Sequence, residues 1–131
     1  MKYSDVVEKV LTTAIEASKK TGAALRYGEK IGGVNNPVPP WCDITVKLSE
    51  SSVRDIANGP FPRRHGVLFI SVYDEKGNGE RKILSIIDQL VNSLEFSTAD
   101  VIEFENSTVT ELNYVEQMFN KHVLEIPFHT A

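Results

Sequence analysis

Several things are scarce in this chain, and each scarcity excludes a class of function. A single cysteine, Cys42, stands among 131 residues. No disulfide can close within the chain, and folding in a reducing compartment is expected. No apolar run approaches the roughly 20 residues that a membrane span needs, so no membrane partner is expected. The opening Met1-Lys2-Tyr3-Ser4-Asp5 leads into an amphipathic segment and does not have the pattern of a secretory signal. Basic charge is not in excess: 14 Lys and Arg against 18 Asp and Glu give a net charge of −4. A global positive field that would hold DNA or anionic lipid is therefore missing. Only three histidines occur, His65, His122 and His129, and they show no metal-ligand spacing with one another or with Cys42, so no metal site is expected.

What is present is the composition of a globular domain, 41% hydrophobic and 24% charged. The length suits one domain over residues 1–131, long enough to bury a core without staples. Val6, Val7, Val10, Leu11, Ala14 and Ile15 recur at helical spacing. With Ser4 as a capping residue and Lys19-Lys20-Thr21-Gly22 as a cationic, glycine-ended finish, they predict a helix over residues 4–20. A short strand is expected over 23–27, then an irregular connection over 28–40 punctuated by Gly32, Gly33, Pro37, Pro39 and Pro40.

Residues 41–48 alternate, with Cys42, Ile44, Val46 and Leu48 on one face and Trp41, Asp43, Thr45 and Lys47 on the other, as a half-buried strand does. Residues 67–73 are apolar on both faces and predict a central strand. Asp74-Glu75-Lys76-Gly77-Asn78-Gly79 predicts a turn, and Ile83, Leu84, Ile87, Leu90, Val91 and Leu94 form the apolar stripe of a second helix. Strands are expected near 101–104, 109–112 and 119–128. Pro127, which cannot donate to a ladder, places the last of them at an edge or at its own finish. The element order is α-β-β-β-α-β-β-β. The fold class is α+β, with two helices packed on one face of a mostly antiparallel sheet.

No catalytic constellation emerges. Cys42 follows Trp41 on the apolar face of its strand, where an inert core thiol is the expected role. The Gly77-Asn78-Gly79 turn lacks the third glycine of a dinucleotide fingerprint, the Gly-Lys-Ser/Thr ending of a phosphate loop and the acidic ligands of a calcium loop, so no cofactor is expected. Glu103, Glu105, Glu111 and Glu116 read as a solvated acidic face without a histidine or basic partner. Arg63-Arg64-His65 is the one compact basic patch. It is either a solvated strand start or a contact for an acidic partner, since guanidinium forks bind carboxylates in pairs.

One arrangement is more specific. Trp41-x-x-Ile44-x-Val46 is followed by a long loop, then by Arg64-His65-Gly66 entering the apolar strand, then by Gly77-x-Gly79, a helix and a closing Glu125-Ile126-Pro127-Phe128. This order resembles the tail terminator (tail completion) proteins of long-tailed bacteriophages, over about residues 3–128. The resemblance implies a virion protein of the tail and neck, made in the host cytoplasm and not an enzyme. It implies a homohexameric ring that caps the tail tube, meets the head connector and lets DNA pass without specific binding. Other neck proteins, such as head-completion or head-to-tail joining proteins, share this size and logic. A small ligand-binding regulatory domain using the Gly77–Gly79 turn is a reading of another class.

The connection over residues 49–62 exceeds the usual 4–6 residues of a loop, and Val53, Ile56 and Phe61 are apolar in an otherwise polar stretch. Together with Arg63 and Arg64 they are the candidate interface residues. Loop-closure cost grows slowly with length, so replacing residues 53–58 by a short Gly-Ser linker should leave the melting temperature near that of the parent. The same replacement should abolish tail completion in an infection assay. Infectious particles at parental yield would reduce the loop to a tolerated insertion.

Overall fold

Val6, Val10 and Ala14 return every four residues, so one side of a helix is apolar. That helix is α1 (Tyr3–Lys20), with Val6, Val10, Ala14, Ala17 and Ser18 buried. The computed structural model describes residues 2–27, 40–49, 64–75, 80–116 and 119–130. The residue that caps α1 is Lys2, in extended conformation and without a side-chain cap bond; Ser4, the expected cap, lies inside the first turn. The Lys2 carbonyl accepts from the Val6 amide at 3.0 Å, which sets the cap two residues earlier than the serine suggested. The other end follows expectation. Lys19 and Lys20 lie against the negative pole of the helix, and Gly22 takes the left-handed φ of +82° that ends it.

Three strands and a helix follow: β1 (Ala24–Tyr27), β2 (Trp41–Ser49), β3 (His65–Glu75) and α2 (Arg81–Leu94). Four further strands complete the chain: β4 (Thr98–Ala99), β5 (Ile102–Phe104), β6 (Thr108–Glu116) and β7 (Phe119–Thr130). The two-residue β4 has no counterpart in the sequence reading, and β3 continues through Asp74 and Glu75, which the reading gave to a turn. The sheet runs β1-β2-β3-β7-β5-β4, with β6 also paired to β7. Every pairing is antiparallel except β1 with β2. This is the expected α+β architecture.

One face of the sheet carries the core. Cys42, Ile44, Leu68, Ile70, Val72, Leu124, Ile126 and Phe128 alternate with outward residues and pack with the buried stripes of both helices. On α2 the buried residues are Ile83, Ile86, Ile87, Leu90 and Leu94, while Leu84 is 42% exposed and Val91 half-buried. A helix turns about 100° per residue. Leu84 therefore stands at the flank of the stripe centred on Ile83, Leu90 and Leu94, and Ile86 takes the place the sequence reading gave it.

Pro127 is not at an edge. It pairs with Val67 in the interior of the sheet. On its other side β6 ends its pairing at Glu125 and β5 begins at Phe128, so Pro127 faces the gap between them. There its carbonyl accepts from the Glu105 amide at 2.8 Å, and its missing N–H falls where no ladder partner stands. No described helix is long and apolar enough to cross a membrane.

Gly66 is the tightest point of the sheet. A Cβ placed there would sit 2.7 Å from the Lys47 carbonyl oxygen and closer still to the Phe128 ring. Neither neighbour can yield cheaply, one being backbone and the other a ring that is 1% exposed. Gly66→Ala should therefore destabilise the domain by about 1–3 kcal/mol or more, as overpacking does. A melt within a degree of the parent would show that β2, β3 and β7 separate freely at that point.

Candidate interaction surface

Of the five candidate interface residues, Arg63, Val53, Ile56 and Phe61 lie outside the described residues, and Arg64 lies within them. Arg64 is bound to its own domain. Its amide donates to Thr130 Oγ1 at 2.8 Å, and its carbonyl accepts from the Thr130 amide at 2.9 Å. Its guanidinium lies 4.0 Å from the centroid of the Tyr3 ring, and Nη1 donates to the Tyr3 hydroxyl at 2.9 Å. The residue thus ties the start of α1 to the joined ends of β3 and β7. A partner carboxylate would meet a guanidinium already oriented by an aromatic ring.

The acidic face has a histidine partner after all. β5 pairs with β7 so that Glu103 stands opposite His129. The His129 ring contacts Glu103 through Nε2 at 2.9 Å and Glu105 through Nδ1 at 3.2 Å. His65 is the register partner of His129 on the other side, with ring centroids 6.4 Å apart. Linear spacing could not reveal this cluster, because the residues meet only through the register of three strands. The carboxylates border an open cavity of about 490 Å³ that is also lined by Phe96, Ser97 and Asn106.

Phe96 is the anomalous residue of this surface. It follows α2 with φ of 59°, a left-handed conformation, and is 72% exposed. That position usually takes glycine or asparagine, and a bulky residue there costs about 1–2 kcal/mol. The exposed side chain recovers little of that cost inside the domain. The neighbouring segment is pinned: Glu95 accepts from the Ser107 amide at 2.7 Å and from the Ser107 hydroxyl. These two donors, the hydroxyl first, hold the Glu95 carboxyl below its ordinary range. The stabilisation they give is present above the usual carboxylate range and is lost as pH falls through the lowered value.

On the sheet face away from the helices, Trp41 stacks on Tyr73 with centroids 3.9 Å apart and planes 7° from parallel. Lys121 lies 5.2 Å from the Tyr73 centroid and Lys47 lies 5.7 Å from that of Phe69. The stack explains how Trp41 is buried although it belongs to the face of Asp43, Thr45 and Lys47. The residues that meet at the foot of α2 are Glu80, Glu111 and His122, each presenting a ligand atom within 4.8 Å of the other two. The sequence places no histidine at ligand spacing and reads Glu111 as solvated without a histidine partner, whereas the register of β6 with β7 sets Glu111 directly opposite His122.

No family model matches the chain, and no curated protein does. Solved structures do match. One aligns over 100% of this chain and 96% of its own length, with a TM-score of 0.73 and 11% sequence identity. Its designation describes no function, and at that identity the likeness shows the fold alone.

Cys42 is fully buried, and burial pushes its thiol up to about 12. At pH 8 the thiolate is then about one part in ten thousand, and the thiolate is the reacting form. An alkylating reagent should modify the native protein orders of magnitude more slowly than the unfolded chain. Equal rates would place Cys42 outside the core.

Proposed function

We propose that this chain is a tail terminator of a long-tailed bacteriophage. In this reading it is a structural, non-catalytic protein of the tail and neck. It closes the finished tube as a homohexameric ring, meets the head connector, and lets DNA pass without gripping it.

The observation that carries the reading is where the sequence motifs fall in the sheet. The tryptophan motif lies on β2, Arg64-His65-Gly66 opens β3, and Glu125-Ile126-Pro127-Phe128 lies on β7. These are three consecutive strands of the sheet, and Gly66 stands directly opposite Phe128. Motifs separated by tens of residues are thus one packed unit. Their joint presence is then explained by a shared sheet geometry and not by independent chance.

The assembly part of the reading is supported by Phe96. Backbone strain held by an exposed aromatic is understandable if that aromatic is covered in the assembled state. Glycine at this position removes the left-handed penalty of about 1–2 kcal/mol but adds about 0.5–1 kcal/mol of chain entropy. Phe96→Gly should therefore raise the stability of the isolated subunit slightly, by about 0.5–1 kcal/mol. It should also lower ring formation, measured by native mass spectrometry of the protein alone and after mixing with tails that lack it. Unchanged assembly would remove Phe96 from the interface. A parent protein that stays monomeric under both conditions, and is dispensable for infectious particles, would overturn the tail-terminator reading itself.

A further inference from the structure

Glu80, Glu111 and His122 come from three separate parts of the chain. Glu80 is the residue immediately before α2, Glu111 lies on β6, and His122 lies on β7 directly opposite Glu111 in the register. One ligand atom of each lies within 4.8 Å of the other two. A pair of carboxylates this close is unfavourable without a cation or a shared proton.

The histidine supplies a second, independent observation. His122 is 3% exposed, on the core-facing side of the sheet beside Leu124. Its Nδ1 is enclosed and meets no hydrogen-bond partner among the described residues. Buried polar atoms are nearly always satisfied, and leaving one unmade is costly. The imidazole therefore brings a ring nitrogen to the two carboxylates and also carries a buried Nδ1 without a partner among the described residues.

We propose that Glu80, Glu111 and His122 form a binding site for one divalent transition-metal ion of the zinc class. An imidazole with two carboxylate oxygens suits zinc, cobalt, nickel or manganese better than calcium or magnesium, which prefer all-oxygen shells. Metal–ligand bonds of about 2.0–2.2 Å in tetrahedral geometry put ligand atoms roughly 3.4 Å apart. The present separations reach that value by a swing of the two glutamate side chains, while the buried histidine stays fixed. Three protein ligands leave a fourth position for water or for a donor from another molecule. Bound metal would fasten the start of α2 to the β6–β7 hairpin through three ligands.

The experiment uses the full chain, stripped with a chelator and dialysed, and titrated with zinc chloride by calorimetry and thermal melting. Cobalt absorption serves as a spectroscopic check. The expected result is one zinc per chain with a raised melting temperature. Glu80→Gln with Glu111→Gln should weaken binding at least ten-fold, since even supporting residues of metal sites matter by about that factor. The same double variant should melt no lower than the stripped parent, because it removes a carboxylate pair. His122→Asn should also lose binding, and where that variant fails to fold the double glutamine variant decides the matter. His129→Asn should bind as the parent does. No binding by the parent up to millimolar zinc overturns the site. So does binding that survives the double variant, which would assign the metal to the His65–His129 cluster.

Discussion

The pairing of β3 with β7 is the constraint from which the remaining structure follows. Register runs without a break from His65 opposite His129 to Glu75 opposite Phe119. It fixes which side chains of both strands face the helices, because a slip of one residue would leave either Leu68, Ile70 and Val72 or Leu124 and Ile126 turned outward. Gly66 locks the register at one end. The Phe128 ring and the Lys47 carbonyl fill the space where a side chain would project, so β2, β3 and β7 pack closely there. With that end fixed, Thr130 bonds the Arg64 backbone, and Arg64 reaches across to Tyr3 at the start of α1. The first and last elements of the chain are thereby joined at Arg64.

The far side of β7 is divided between two partners. β6 covers its first part and β5 its last. The junction is managed by Pro127, whose carbonyl finds the Glu105 amide, and by the Glu95 carboxylate, which holds the Ser107 backbone where β5 gives way to β6. Each half of β7 then gathers its own charged cluster. Glu111 meets His122 on the core-facing side, and Glu103 meets His129 on the opposite side. Residues separated by an odd number along a strand face opposite ways. The two clusters, seven residues apart on β7, therefore cannot merge into one site, whatever the side chains do.

How far the fold could be read from the sequence depended on the range of the forces involved. Helix α1, the alternation of β2 and the apolar run of β3 are local patterns, and all three elements stand within two residues of where periodicity places them. The errors arise where a distant residue decides. Ser4 has the chemistry of a cap, but the Lys2 carbonyl begins the helix. Leu84 is as apolar as Ile86, yet only the direction of the sheet determines which of them is covered. Pro127 looked like an edge residue because a sequence cannot show that two different strands meet beside it. The candidate site was less legible still. Arg64 was visible as part of a basic patch, whereas the roles of His122, His129, Glu80 and Phe96 rest on register and on one backbone angle, and neither has a signature in the order of residues.

The two surfaces that carry the functional argument have opposite physical characters. Phe96 is an apolar side chain held in water on a strained backbone, and removing it from water would be favourable by the general scale of aromatic burial. Glu80, Glu111 and His122 are polar groups drawn to one place. An apolar group is stabilised by a partner surface and close carboxylates by a cation or a shared proton, so what suits one place does not suit the other. They also lie at opposite ends of α2, Glu80 before Arg81 and Phe96 after Leu94. A rigid helix whose stripe Ile83, Ile86, Ile87, Leu90 and Leu94 is packed into the core transmits position between its ends but little else. Fastening its first turn to the β6–β7 hairpin would therefore fix where Phe96 is presented, without contact between the two places. Metal bound at the carboxylate cluster would then bear on the geometry of the exposed aromatic at the other end of the helix.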